Sequence, residues 1–154
     1  MNDVDAAMAV WHAANTARGK PMSEQRIARV RVKLSEPDVL LVMAREDGEV
    51  VGMALAEPGR ELDGAGPRLP GLCHLSMLFV APHRWGRGHG RLLLADLLAQ
   101  AAGEEYTRMQ VWTGAANERA LRLYRGAGFQ DTGEVRGLGS GVLAVALSRD
   151  LAVL

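Results

Sequence analysis

The residues with the clearest capacity for chemistry lie in one short segment, Trp85-Gly86-Arg87-Gly88-His89-Gly90-Arg91. Glycines let a backbone come close to an anion, and the first turn of a helix offers amide hydrogens without partners together with about half a positive charge. The segment follows an apolar run and precedes a leucine-rich one, as a strand-to-helix turn does. It therefore predicts a phosphate or pyrophosphate site at the start of a helix.

Two better-known phosphate loops do not match this segment. The Walker pattern needs a Gly-Lys-Ser/Thr triplet, which the sequence does not contain. The dinucleotide pattern G-x-G-x-x-G fails because Arg91 stands at the third glycine position. The residues alone leave two other interpretations open: a flexible turn with no ligand, and a nucleotide-phosphate module of a different kind.

Composition limits the partners. The chain has 154 residues, of which 48% are hydrophobic and 23% charged, values typical of a globular domain, and we predict a single domain over residues 1–154. Basic and acidic residues both number 18, so neither nucleic acid nor a membrane is a predicted partner. The charge is nevertheless uneven, because residues 83–91 hold three arginines and two histidines but no acid.

Cysteine and histidine usage predicts neither disulfides nor a metal. Cys73 is the sole cysteine, which excludes an internal disulfide. The histidines have no metal-ligand spacing, so no metal is predicted; they are His12, His74, His83 and His89. The first residues lack the features of a signal peptide, and no apolar run approaches the ~18 residues of a membrane span. The predicted location is the cytoplasm.

Hydrophobic periodicity and turn residues predict the elements around the glycine segment. Asp47-Gly48 between two apolar runs indicates a hairpin, and the glycine- and proline-rich residues 57–71 indicate an irregular surface loop. Five leucines at positions 92, 93, 94, 97 and 98 predict a well-buried helix. The predicted helices cover residues 3–18, 23–34, 91–102 and 117–127, and the predicted strands cover 39–45, 50–56, 72–80, 108–112, 129–135 and 142–147. This order predicts an α/β sandwich with a partly antiparallel sheet.

Two stretches resemble the signatures of the GNAT acetyltransferase family. The run LFVAPHRWGRGHGRLL, residues 78–93, resembles the acyl-CoA-binding motif of that family. The run NERALRLY, residues 117–124, with Gly128-Phe129 resembles its second signature, N-x-x-A-x-x-L-Y followed by G-F. Both occur in the usual order and separation. The resemblance implies a mixed, mostly antiparallel central sheet flanked by helices.

The match has two departures. The family pattern commonly has Arg or Gln where this chain has Trp85, and Arg84 is the nearest charge that could compensate. The chain also begins directly in its first predicted helix, so the strand that usually precedes this helix is expected to be missing. An open sheet edge is a pairing liability, and a partner subunit in a homodimer is one way to cover it.

The resemblance implies that acetyl-CoA, or coenzyme A after transfer, is the cosubstrate. By the family pattern, the backbone of Leu78, Phe79 and Val80 binds the pantetheine arm, and Asn117 contacts the same arm while capping its helix. The pyrophosphate site is implied for the glycine segment and its arginines, which are Arg84, Gly86, Arg87, Gly88, His89, Gly90 and Arg91. Core packing is the alternative role of the three strand side chains, and solvent exposure that of the arginines.

For catalysis the resemblance implies that Tyr124 protonates the departing thiolate; without the motif it would be interpreted as a core aromatic residue. The general base is open. His74 is the first candidate, because an imidazole titrates near neutral pH and Ser76 lies on the same strand face. Glu57 and a water relay are the alternatives, and a hydrogen-bonded core histidine is the non-catalytic interpretation of His74.

The implied function is transfer of an acetyl group from acetyl-CoA to a primary amine of a small molecule or peptide, by direct attack in a ternary complex. The alternative is a non-catalytic acyl-CoA sensor or regulatory protein on the same fold. It predicts binding without turnover. Neither the acceptor amine nor an acyl group beyond acetyl can be inferred from the residues.

Overall fold

The computed structural model of the protein describes residues 2–61 and 64–151. The helices and strands follow the predicted order. The helices are α1 Asp3–Ala17, α2 Glu24–Leu34, α3 His89–Gly103 and α4 Glu118–Gly126, with a short 3-10 helix at Pro82–Arg84. The strands are β1 Leu40–Glu46, β2 Glu49–Arg60, β3 Arg68–Val80, β4 Arg108–Gly114, β5 Gln130–Gly137 and β6 Leu143–Asp150.

The described residues form a six-stranded sheet in the order β1-β2-β3-β4-β6-β5. Pairs β1–β2, β4–β6 and β5–β6 are antiparallel, whereas β3–β4 is parallel. The prediction of a mixed, mostly antiparallel sheet is therefore confirmed. The chain separates into two compact units: the first runs to Ala56 and includes Met77–Leu97, and the second contains Glu57–Ser76 and the residues from Leu98 onward. A single domain over residues 1–154 stays a prediction.

The first unit contains α1, α2 and the β1–β2 hairpin. Each helix begins with a side-chain cap, in which Asn2 accepts from the Asp5 amide at 2.8 Å and Ser23 accepts from the Arg26 amide at 3.0 Å. The hairpin turns at Asp47 (φ 54°) and Gly48 (φ 79°). A two-residue turn with both φ values positive is the geometry that Asp-Gly favours. It sets Glu46 directly opposite Glu49 in the register.

The second unit is organised by alternation along its strands. On one face, Cys73, Leu75, Met109 and Val111 are no more than 3% exposed and form core. The alternate residues of these strands lie on the opposite face, where their side chains are half-buried; they are His74, Ser76, Gln110 and Trp112. The four registered β3–β4 pairs run from Leu72↔Arg108 to Leu75↔Val111.

The prediction of an irregular loop over residues 57–71 is wrong at both ends. Strand β2 continues to Arg60, and β3 already begins at Arg68. Gly59 is a close-packing position, since a Cβ there would lie 2.5 Å from Cγ of Leu72. Gly71, at φ +76°, accepts a hydrogen bond from the Thr107 amide at 2.8 Å. These glycines mark the close approach of neighbouring chain segments, which the sequence does not distinguish from a turn.

Helix α3 is buried along one stripe only. Leu93, Leu94, Leu97 and Leu98 are at most 7% exposed, as predicted, but Leu92 is 65% exposed. Leu92 precedes a buried pair in the first helical turn and lies on the solvent side of the stripe. In the part of the chain that the structure describes, no helix has the length and apolarity needed to cross a membrane.

We predict that Gly59→Ala destabilises the protein by about 1–3 kcal/mol, because the added methyl group overlaps a Leu72 side chain that is 3% exposed. Gly137→Ala, in a strand position with no atom within 4 Å of the added Cβ, is the matched control. The measurement is urea unfolding of both variants. Equal midpoints for Gly59→Ala and the unsubstituted protein would show that the strand does not pack tightly at this position.

Candidate active site

The glycine segment forms an open turn at the start of α3. Gly86 and Gly88 have φ values of +81° and +82°, which side chains rarely tolerate, and no atom lies within 4 Å of a Cβ built at Gly86. The first helical bond runs from the Leu92 amide to the Gly88 carbonyl at 3.2 Å. The amides of residues 89–91, which come before Leu92 in the first turn, therefore have no acceptor within the helix. The predicted strand-turn-helix is confirmed, with the helix starting at His89 rather than Arg91.

Hydrogen bonds at the end of β3 fix the entry to this turn. The Ala81 amide donates to the Val51 carbonyl at 2.7 Å, and the indole N–H of Trp85 donates to the Val80 carbonyl at 2.7 Å. The Trp85 ring itself is 41% exposed. Trp85 stands where the family pattern commonly has Arg or Gln. Its indole thus links the turn to the end of β3.

A carboxylate that sequence analysis did not identify lies against the turn. Glu46 Oε1 accepts from Arg87 Nη1 at 2.6 Å, and its Oε2 lies 3.1 Å from His89 Nε2 and 3.4 Å from Arg84 Nε. These contacts, led by the His89 hydrogen bond and joined by Arg87, lower the pKa of Glu46 below its ordinary value. The carboxylate is therefore ionised throughout the neutral range.

Glu49 extends this cluster across the hairpin, with its oxygens 3.6 Å from His83 Nε2 and 3.8 Å from Arg84 Nη2. Residues 83–91 contain no acid, and the carboxylates that pair with their cations come from the two sides of the β1–β2 turn. The signal was present in Glu46-Asp47-Gly48-Glu49, because a tight hairpin brings its two flanking residues side by side.

Arg91 differs from the other cations of the segment. It is exposed, and among residues 2–61 and 64–151 it has no carboxylate partner. Its Nη2 lies 3.8 Å from the position a Cβ would take at Gly88. Within the described part of the segment, Arg91 is the guanidinium left to bind an external anion.

The strand residues before the turn have apolar surroundings. Leu78, Phe79 and Val80 are each half-buried, and the Phe79 ring packs against the core cluster that contains Trp11 and Met53. The expected packing role of this side chain is confirmed. A backbone role along a ligand stays a prediction.

In the second unit, α4 holds the two residues of the second motif. Asn117 Oδ1 caps the helix by accepting from the Ala120 amide at 3.2 Å, as predicted. Tyr124 is 7% exposed and packs edge-to-face on Phe129, with ring centroids 5.6 Å apart. Burial raises the pKa of Tyr124 to about 12, so its phenol is neutral and can only donate a proton at ordinary pH.

The candidate bases form two pairs on the half-buried face of the second unit. His74 Nδ1 lies 3.4 Å from Gln110 Nε2, and Ser76 Oγ donates to Glu57 Oε2 at 2.9 Å. Burial, assisted by the charge of Glu57, raises the pKa of the neighbouring Cys73 thiol to about 12, so this thiol stays protonated. The Ser76 hydroxyl thus orients the Glu57 carboxylate, and His74 lies within hydrogen-bond distance of the Gln110 amide.

Sequence analysis missed a third pair on this face. The Arg136 guanidinium lies 4.2 Å from the centroid of the Trp112 ring, a cation–π stack between β5 and β4. The alternation of polar residues along β4 was its only sequence signal. Among the described residues, no group of three His, Cys, Asp or Glu side chains could hold a metal ion.

Comparison with known proteins identifies the family. The model of the acetyltransferase (GNAT) family matches residues 6–129. An uncharacterized N-acetyltransferase of Mycobacterium tuberculosis is 32% identical over 108 residues, which are 69% of this chain and 62% of that protein. A mycothiol acetyltransferase of Streptomyces coelicolor is 33% identical over 135 residues, 87% of this chain and 40% of that protein. This chain thus spans less than two thirds of the length of these relatives.

Solved structures share the fold. The ribosomal-protein-S18-alanine N-acetyltransferase of Escherichia coli superposes with a TM-score of 0.75 at 18% identity, covering 100% of this chain and 92% of that one. A Salmonella typhimurium protein solved with acetyl-CoA gives a TM-score of 0.73 at 19% identity, covering 99% and 91%. With the family model extending through both signature motifs, the chain belongs to the GNAT acetyltransferase family.

Proposed function

We propose that the protein transfers an acetyl group from acetyl-CoA to a primary amine of a small molecule or peptide by direct attack in a ternary complex. The proposal rests above all on the open turn at Gly86 and Gly88, whose positive φ values and free space suit a diphosphate at the start of α3. Family membership supports the same chemistry, and the mycothiol acetyltransferase among the relatives is named for acetylating a small molecule.

The donor residues for the diphosphate are the amides of His89, Gly90 and Arg91, with the Arg91 guanidinium beside them. Glu46 already forms ion-pair contacts with Arg84, Arg87 and His89. In this proposal their side chains therefore balance the charge of that carboxylate and do not bind the ligand. Backbone amides at a helix start bind anions through fixed dipoles and need no side-chain rearrangement. In this proposal the backbone of Leu78–Val80 and the amide of Asn117 hold the pantetheine arm.

The proposed acyl transfer uses one proton acceptor and one proton donor. His74 or Glu57, directly or through water, takes a proton from the ammonium group, and the amine nitrogen forms a bond to the thioester carbonyl carbon. The carbon–sulfur bond breaks, and the sulfur leaves with its electron pair. Tyr124 gives its phenolic proton to that sulfur. The nitrogen loses its second proton through water as it becomes an amide nitrogen, and this proton restores the phenol, while the base releases the first proton to solvent. The products are an amide and the free thiol of coenzyme A.

The proposal is tested by measuring acetyl-CoA binding in a calorimeter and thiol release with a panel of amines. We expect binding and acceptor-dependent thiol release. Absence of binding at millimolar acetyl-CoA would refute the cosubstrate assignment, while binding without turnover across the panel would favour the non-catalytic sensor.

We predict that Tyr124→Phe lowers kcat by roughly 10²- to 10⁴-fold, the usual contribution of a positioned general acid, while the affinity for acetyl-CoA changes little. Tyr106→Phe, the same change at the other tyrosine, is the control. Because burial raises the pKa of Tyr124 to about 12, its protonated form persists as pH rises past 10 and is lost only near 12. A decline in the wild-type rate between pH 8 and 10 should therefore come from another group. Unchanged kcat in Tyr124→Phe would remove Tyr124 from the chemistry.

We predict that Glu46→Gln tightens coenzyme A binding several-fold at low salt and makes it more salt-dependent. The substitution removes a negative charge beside the diphosphate site and releases Arg87 from its 2.6 Å ion pair. Glu36→Gln, the same change at an exposed site between α2 and β1, is the control. Weaker binding in Glu46→Gln alone would mean that the ion pairs mainly hold the turn in shape.

A further inference from the structure

The end of α4 has the hydrogen-bond pattern of a Schellman motif, and Tyr124 belongs to it. The Phe129 amide donates to the Tyr124 carbonyl and the Gly128 amide donates to the Arg125 carbonyl, both at 3.0 Å. The motif needs a residue in the left-handed conformation, which is Gly128 at φ +93°. A Cβ at Gly128 would also lie 3.2 Å from Arg149 Nε, so a methyl group there would crowd that side chain. The backbone carbonyl of Tyr124 is therefore held by the residue that leads into β5.

Phe129 contacts the same tyrosine a second time, through its ring. The two rings pack edge-to-face, with centroids 5.6 Å apart and an interplanar angle of 60°. Phe129 is 3% exposed and Tyr124 is 7% exposed, so both rings lie in the core. Among the residues that the structure describes, none forms a hydrogen bond with the Tyr124 hydroxyl. The direction of the phenol therefore depends on how its ring packs.

An ion pair joins the same two elements at the surface. Arg125 Nε and Nη2 donate to the two carboxylate oxygens of Asp131 at 3.0 and 2.8 Å, which is a bidentate arrangement. The pair connects the last turn of α4 to the second residue of β5. The two side chains are 52% and 48% exposed, so the pair adds little to overall stability. Its local effect is to keep the end of the helix against the start of the strand.

We propose that Phe129 is a positioning residue for the acetyl transfer, acting through Tyr124, and that the Arg125–Asp131 pair supports it. The inference rests on the proposed role of Tyr124 as the proton donor to the thiolate. A general acid must lie within hydrogen-bond reach of the atom that it protonates, and a small displacement of a catalytic group lowers the rate steeply. Phe129 limits the movement of both parts of Tyr124, because its amide holds the carbonyl and its ring packs on the phenol.

The experiment measures kcat and the KM for acetyl-CoA by thiol release, with the amine of the panel that is acetylated fastest. Phe129→Leu is compared alone and together with Tyr124→Phe; leucine stays apolar but removes the ring edge that packs on the phenol. We expect Phe129→Leu to lower kcat roughly tenfold and to leave the KM for acetyl-CoA unchanged. It should cause no further loss in the Tyr124→Phe protein, because a residue that acts through the phenol has no effect once the hydroxyl is absent. An equal loss in both proteins, or no loss in either, would overturn the proposal.

Loss of core packing is controlled separately. Leu98→Ala removes a side chain of α3 that is 7% exposed, and it should lower the urea midpoint with little effect on kcat. A tenfold lower kcat in Leu98→Ala at an equal loss of stability would overturn the proposal, because any damage to the core would then have the same result.

The exposed ion pair tests the inference without disturbing the core. Arg125→Gln should lower kcat about two- to fivefold, and the charge-reversed protein with Arg125→Asp and Asp131→Arg should regain most of it. Arg122→Gln, the same change at an exposed position of α4, should leave kcat unchanged. If Phe129→Leu does not fold, unchanged kcat in Arg125→Gln overturns the proposal.

Failure of the proposed function gives a different pattern. Absence of thiol release with every amine removes the acetyl transfer, and unchanged kcat in Tyr124→Phe removes Tyr124 as the acid; either result also overturns this inference. A kcat that falls in Tyr124→Phe but not in Phe129→Leu contradicts the positioning role alone.

Discussion

The backbone conformation at the start of α3 is the constraint on which the proposed chemistry depends. The chain leaves β3 at Val80 and enters α3 at His89, and within that short distance it must turn and present amide hydrogens to solvent. Two glycines with φ near +80° make this possible, since a side chain at either position would be strained. The hydrogen bonds donated by the Ala81 amide and the Trp85 indole fix the point at which the chain leaves the strand. In the proposed function, anion recognition at this turn therefore depends mainly on backbone amides, with Arg91 beside them.

Charge around this turn is balanced inside the first unit. The β1–β2 hairpin brings Glu46 and Glu49 to four cationic or titratable groups, so the local excess of positive charge in the sequence does not become an equally strong positive surface. An exposed ion pair contributes little to stability. Under the proposed function, these ion pairs matter for selectivity: they largely cancel the attraction of the other cations for anions, so the ligand would be recognised by the oriented amides and Arg91.

The predictions from the sequence that the structure confirms concern features determined by a few adjacent residues. The Asn117 cap, the Asp47-Gly48 hairpin and the strand-turn-helix at Gly86–Gly88 each depend on a few adjacent residues, and all are present. The errors come from interactions distant in sequence. The local pattern places Gly59 in a loop, because its contact with Leu72 is thirteen positions away. It gives no sign of the role of Glu46, because Arg87 lies forty-one positions on. Local pattern cannot distinguish a glycine required for a turn from one required for close packing.

The second unit shows how environment, more than residue type, separates an acid from a base. Tyr124 lies in an apolar environment that disfavours its phenolate, and with a pKa of about 12 it is a proton donor at every ordinary pH. Glu57 has different surroundings: it is half-buried and accepts a hydrogen bond from the Ser76 hydroxyl. A protonated phenol and an ionised carboxylate are the two states that amine acylation needs at its start: one group to receive or bind the positive charge of the acceptor, and one to supply the proton that the sulfur takes. In the proposed mechanism the phenol of Tyr124 therefore serves as the acid, and His74 or Glu57 serves as the base that accepts the ammonium proton.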